Sequence, residues 1–241
     1  MHWFPIILGT WNETLRVCTP TVVEQVFGRV KKDVCDQRLD EWAATACRLA
    51  DVRISVEGDE NLKDLRNGES FVVISNHQSS YDIFVLMHTY PSSLRMVAKK
   101  QIFQVPVMGG AMKASGFVSV DRSNSESARQ SLENAKAAFE AGTSIWIAPE
   151  GTRSDDGRLL PFKKGGFMLA LSAQRRILPV TLIDTNTVLP SKDHKVRSGK
   201  HVRVRFHPPV DPADFGVERR DELVDHVRNV IISGQPEELR Q

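Results

Sequence analysis

No run of apolar residues in this 241-residue chain approaches the roughly 20 needed to cross a bilayer as a helix, so a spanning segment is not expected. The N-terminus lacks a basic n-region and a small-residue cleavage site, so a secretory leader is not expected either. Cysteine is scarce: Cys18, Cys35 and Cys47, three in all, form no C-x-x-C pair and no zinc pattern. An odd set of thiols without a secretory signal fits a reducing compartment, and Cys35 and Cys47 fit the apolar face of a helix. No His, Asp and Glu cluster has ligand spacing, so no metal is expected. Net charge is nearly absent as well. It is +2, from 32 basic and 30 acidic residues, which removes the electrostatic argument for nucleic acid.

What remains is the composition of an ordinary globular protein, 41% hydrophobic and 26% charged. The length suits one large domain, or a domain with an appendage. Basic residues are nonetheless bunched at Lys192, His194, Lys195, Arg197, Lys200, Arg203 and Arg205, with Asp193 opposing them. That cluster reads either as a solvated β-hairpin surface or as a contact for anionic headgroups or an acidic carrier. At the other end, Trp3 and Trp11 bracket a short apolar patch. It suits an element lying in a membrane interface, and equally an arm packed on the protein's own core.

Thr19-Pro20 has the form of an N-cap followed by proline at the first helical position. Helical spacing of apolar residues then runs from Val23 to about Ala50, with Gly28 as a weak point. Residues 1–50 are therefore expected to form a helical element, covering the main domain or facing a membrane. From 51 to 241 the pattern alternates. Strands are expected at 52–56, 71–75, 95–98, 117–120, 144–148, 179–183 and 202–206. Helices are expected at 81–88, 107–114, 125–141, 166–173 and 219–231. Short apolar strands interleaved with helices predict an α/β domain with a central, mostly parallel, covered sheet and flanking helices.

The most informative stretch is Asn76-His77-Gln78-Ser79-Ser80-Tyr81-Asp82, just after the apolar run Phe71–Ile74. A neutral imidazole can take a proton from an alcohol near neutral pH, and a carboxylate can hold its tautomer. On one continuous helix, positions five apart point about 140° away from each other. His77 and Asp82 meet only if His77 lies in a loop and the helix starts near Ser79 or Ser80, either of which supplies an N-cap. Three more segments fall at strand ends, where open α/β sheets gather their ligand sites. They are Val120-Asp121-Arg122, Pro149-Glu150-Gly151-Thr152-Arg153 and Leu178-Pro179-Val180. Gly151 permits close backbone approach, Thr152 offers a hydroxyl, and Arg153 and Arg122 offer planar forks suited to phosphate. Pro179 is expected to open its strand, where no ladder donor is needed.

In order and spacing these four segments resemble the motif blocks of the glycerolipid acyltransferases, most closely those acting on 1-acyl-glycerol-3-phosphate (lysophosphatidic acid) in bacteria. The likeness covers about residues 52 to 208. It implies His77 as general base and Asp82 as its orienting carboxylate. Arg122 would hold the acceptor's phosphate with help from Lys100, and Glu150 and Gly151 would shape the acceptor site beside Thr152 and Arg153. Pro179 would belong to the donor side or to structural support. Ala148 and Ser119 depart from the usual aromatic and apolar residues, which bears on substrate more than on chemistry.

The implied reaction is acyl transfer from a thioester, acyl-CoA or acyl carrier protein, to a lysophospholipid hydroxyl, without cofactor or metal. Other lysolipids, including lyso-ornithine lipids, fit the same blocks, and a thioester hydrolase or a non-catalytic lipid-binding protein are the rival classes. Fatty acyl substrates imply work at a membrane surface, and the resemblance suggests the cytoplasmic face of the inner membrane, peripheral or monotopic.

Overall fold

The computed structural model describes residues 3–120 and 125–240. Two helices come first, α1 (Trp3–Val26) and α2 (Lys32–Leu49). Then follow β1 (Arg53–Glu57), the short α3 (Lys63–Arg66), β2 (Val72–Ser75), α4 (Tyr81–Thr89) and β3 (Leu94–Lys99). The chain continues through α5 (Met108–Ala114), β4 (Val118–Val120), α6 (Ser125–Glu140), β5 (Ser144–Ile147) and α7 (Gly165–Ala173). It ends with β6 (Ile177–Ile183), the short α8 (Thr185–Val188), β7 (His201–Phe206) and α9 (Arg220–Gly234).

The strands form one seven-stranded sheet in the order β1-β7-β6-β2-β5-β3-β4 among the described residues. Every adjacent pair is parallel except β6 with β7. A parallel sheet buried on both faces needs strands that are apolar throughout, and β2 and β6 are buried at every residue. Alternation assigns the faces. Val73 joins a core with Ala43 and Cys47 of α2 and Val85 of α4. Val72 and Ile74 join the opposite core with Phe139 of α6, Phe167 of α7 and Val227 of α9. Each fully buried Val, Ile or Phe contributes about 1.5–3 kcal/mol.

Two proline readings are corrected. Pro20 does not start a helix; it lies inside α1, which begins near Trp3. The lost bond to the Arg16 carbonyl is outweighed by packing, since Ile6, Thr14, Val17 and Thr21 are buried on the side of α1 that meets α2 and α5. The Trp3–Trp11 patch is thus the first half of that helix. Gly28, at φ +62°, breaks the chain between the two helices as expected. Pro179 is the third residue of β6. Between the Ile177–Val210 bridge and the Val180–Phe206 pair, β6 advances by fewer residues than its partner, making a bulge at His207-Pro208-Pro209. The missing Pro179 N–H faces that bulge, while its carbonyl still accepts from His207 N at 3.0 Å.

The basic bunch near residue 200 is no hairpin, because α8 and a loop separate β6 from β7. Much of its charge is matched: Lys192 pairs with Asp155, Arg197 with Asp193 at 3.4 Å, Arg203 with Asp184 at 3.7 Å, and Arg205 with Glu57 at 2.5 Å.

Candidate active site

His77 leaves the C-terminal end of β2, between β5 and β6 in the sheet. Asn76, just before it, completes the ladder to β6 with its own amide. Its Nδ2 donates to the Leu182 carbonyl and its Oδ1 accepts from Leu182 N, both at 2.8 Å. The strand can therefore stop without leaving a buried amide unpaired.

The next peptide is pinned from both sides. His77 N donates to Glu150 Oε1 at 2.6 Å, and Ser154 N donates to the His77 carbonyl at 2.8 Å. Glu150 Oε2 accepts from Leu160 N at 2.9 Å. Glu150 is thus a buried brace that ties the turn after β5 to the His77 loop. Burial pushes its carboxyl up to about 7, against the pull of those two N–H donors.

The helix starts where the sequence required. Tyr81 N donates to Ser79 Oγ at 3.1 Å and Ser79 N donates to Asp82 Oδ2 at 3.0 Å, the reciprocal pattern of a capping box. Ser80 makes no side-chain cap. Asp82 Oδ2 also accepts from Gln78 N at 2.7 Å and sits 2.7 Å from His77 Nδ1. Asp82 is fully buried, while the His77 side chain is 21% exposed. The carboxylate makes Nδ1 the protonated nitrogen and leaves Nε2 as a lone pair, with no hydrogen-bond partner among the described residues. Trp146 meets the ring edge-on at 6.4 Å between centroids and donates Nε1 to Ser75 Oγ at 2.9 Å.

The remaining sequence-flagged residues fall around this pair. Gly151 takes φ +71°, a backbone that admits glycine readily, in the turn after β5. Thr152 is exposed, and Arg153 Nη1 donates to Ser80 Oγ at 2.9 Å. Lys100 is exposed at the end of β3. Arg122 lies outside the described residues, just past β4. No group of three or more His, Cys, Asp or Glu among the described residues is disposed to hold a metal ion.

One feature escaped sequence reasoning. A cavity of about 570 Å³ opens between α1, α2, α4 and α5, lined by Ile7, Trp11, Val17, Leu39, Trp42, Phe84, Met108 and Met112 among others. Its wall includes Ser80 and Tyr81, so it reaches the N-terminus of α4 and the residue that Arg153 touches. The available signal was that α1 is apolar on more than one face. Phe4, Leu8, Leu15, Val23 and Val26 are exposed, while buried Val17 and part-exposed Ile7 line the cavity.

A family model described as Acyltransferase matches residues 53–183, more than half of the chain. The chain is 35% identical over 179 residues to the chloroplastic 1-acyl-sn-glycerol-3-phosphate acyltransferase BAT2 of Brassica napus, covering 74% of this chain and 50% of that protein. It is 32% identical over 208 residues to the 1-acyl-sn-glycerol-3-phosphate acyltransferase of Saccharomyces cerevisiae, covering 81% of this chain and 66% of that one. This chain therefore spans only about half to just under two thirds of the length of these relatives. Among solved structures, the crystal structure of the 1-acyl-sn-glycerophosphate (LPA) acyltransferase PlsC from Thermotoga maritima superposes with a TM-score of 0.77. Identity is 25%, over 97% of this chain and 96% of that one. With this family model matching more than half of its length, the chain belongs to the acyltransferase family.

Proposed function

We propose that the protein transfers a fatty acyl group from a thioester, acyl-CoA or acyl carrier protein, to the free hydroxyl of 1-acyl-glycerol-3-phosphate, giving phosphatidic acid. The observation that carries this reading is His77 held by Asp82, on the loop that leads into Ser80 and Tyr81, which line one end of an apolar cavity. Each methylene seated in such a cavity contributes about 0.8 kcal/mol, so a fatty acyl chain fits it and its thioester would lie near the α4 N-terminus. His77 Nε2 removes the acceptor hydroxyl proton. The alkoxide oxygen attacks the thioester carbonyl, the tetrahedral intermediate collapses, and the C–S bond breaks as the C–O ester bond is kept. The thiolate leaves and receives the proton from the imidazolium, which Asp82 stabilises meanwhile. Arg153 and Lys100, with Arg122, supply cationic groups for the acceptor phosphate. Glu150 serves by holding the His77 backbone. The relatives named for this activity support the substrate class.

The same reading places α1 against a membrane. No helix among the described residues is long and apolar enough to cross one. Phe4, Leu8, Leu15, Val23 and Val26 of α1, and Phe27 just after it, are nevertheless exposed apolar side chains, with Phe4 59% and Val26 77% exposed. Such a set of exposed apolar side chains suits a helix lying in the interface, and other α1 residues, among them Trp11 and Val17, line the cavity.

Thiol release from an acyl thioester, followed with and without 1-acyl-glycerol-3-phosphate and with products identified by mass, tests the proposal. Release should depend on the acceptor, and His77→Ala should lower it about 10²–10⁴-fold. Equal release without acceptor would mean a hydrolase. Another preferred lysolipid would reassign the acceptor, and near-normal turnover in His77→Ala would remove the base.

A further inference from the structure

Asp82 has two carboxylate oxygens with very different surroundings. Oδ2 is crowded by His77 Nδ1, Gln78 N and Ser79 N. Oδ1 is held by one group, the hydroxyl of Thr185, in a short hydrogen bond. Both side chains are fully buried, so no bulk water replaces that donor. The torsion that spins a carboxylate is broad and roughly two-fold, and Oδ1 has no other anchor among the described residues.

Thr185 is brought there by a built turn. β6 ends at Ile183, Asp184 takes φ +67°, and Thr185 opens α8 facing back toward α4. A non-glycine residue in the left-handed region is disfavoured unless its surroundings hold it. The same segment grips the His77 loop a second time, since Ser79 Oγ donates to the Leu189 carbonyl at 2.7 Å. Among the described residues, the only other acceptor near the Thr185 hydroxyl is Gln78 Oε1, at the longer distance of 3.5 Å. The single hydroxyl proton therefore goes to Asp82.

Building on the acyl-transfer reading, we infer that Thr185 is the positioning residue of the His77–Asp82 pair: its hydroxyl locks the carboxylate so that Oδ2 faces Nδ1 and Nε2 stays free as the base. Strand β6 thereby has a chemical purpose, delivering the donor from the far side of the acid.

Two variants and two readouts test this. Thr185→Val keeps the shape and removes the donor; Thr185→Ser keeps the donor. In Thr185→Val, kcat should fall about tenfold, with the KM for acceptor and donor within about twofold of wild type. Thr185→Ser should stay close to wild type. The second readout needs no turnover: ¹⁵N NMR of the His77 imidazole in the free protein. Wild type and Thr185→Ser should show the Nδ1–H tautomer, and Thr185→Val a mixture with Nε2–H. Unchanged kcat and tautomer in Thr185→Val would overturn the inference, as would equal impairment of the Val and Ser variants. If wild type transfers no acyl group at all, the reaction assigned above fails, while the tautomer comparison still decides the role of Thr185.

Discussion

Replacing Glu150 by Gln separates the brace from its charge. The carboxyl is 3% exposed, and burial raises it from an ordinary 4.5 to about 7. An acid whose folded value lies above its unfolded one weakens the fold as pH rises. Below about 4.5 both states are protonated and nothing is lost. Between 4.5 and 7 the unfolded chain ionises first, and above about 7 the whole penalty is present. A shift of that size corresponds to about 3 kcal/mol. Glutamine carries no charge, so it escapes the pH-dependent part. It retains one acceptor oxygen and turns an NH₂ toward either His77 N or Leu160 N, leaving a buried N–H unpaired at about 1–3 kcal/mol whatever the pH. In urea titrations, wild type should therefore be the more stable protein near pH 4.5. The gap should close by about 3 kcal/mol by pH 8. A stability difference that stays constant over this range would refute the assignment of a buried, charge-penalised brace. Turnover should also fall in Glu150→Gln, by about 10–100-fold if the released His77 peptide moves the imidazole by about an ångström.

Pro20→Ala restores an N–H to α1 and removes a ring from its interior, so the protein should gain up to about 3 kcal/mol in denaturant titrations. No gain would mean the helix is already bent to suit the proline. Replacing Phe4, Leu8 and Val26 together by Ser leaves the cavity wall untouched, because none of the three lines it. That variant should lose sedimentation with liposomes while keeping turnover on detergent-dispersed substrate. Undiminished liposome binding would remove the membrane role of these side chains.

The two prolines show where sequence reasoning went astray in this chain. All seven strands are where the sequence placed them, shifted by a residue or two: β2 and β6, covered on both faces, are continuously hydrophobic, while β1 and β7, on one side of the sheet, alternate polar and apolar residues. Prolines are read by local rules, and tertiary packing overrode those rules twice. At Pro20, contact with two neighbouring helices carried α1 through. At Pro179, a bulge in the partner strand removed the need for a donor.

The His77–Asp82 pair was legible because its geometry is local. Five positions of spacing demanded a loop and then a helix, and the serine-to-aspartate capping box supplied both. The bracing role of Glu150, Thr185 and the cavity were not legible in that way. Each depends on which distant segments the sheet order sets side by side. β5 next to β2 puts the Glu150 carboxylate under the His77 peptide; β6 on the other side of β2 puts the Thr185 hydroxyl behind Asp82. Sequence thus marks the proposed base, and topology chooses the groups that hold it still. A base aligned by supports from two flanking strands should be more sensitive to substitutions at the ends of β5 and β6 than to equally conservative changes on α4 that leave Asp82 intact.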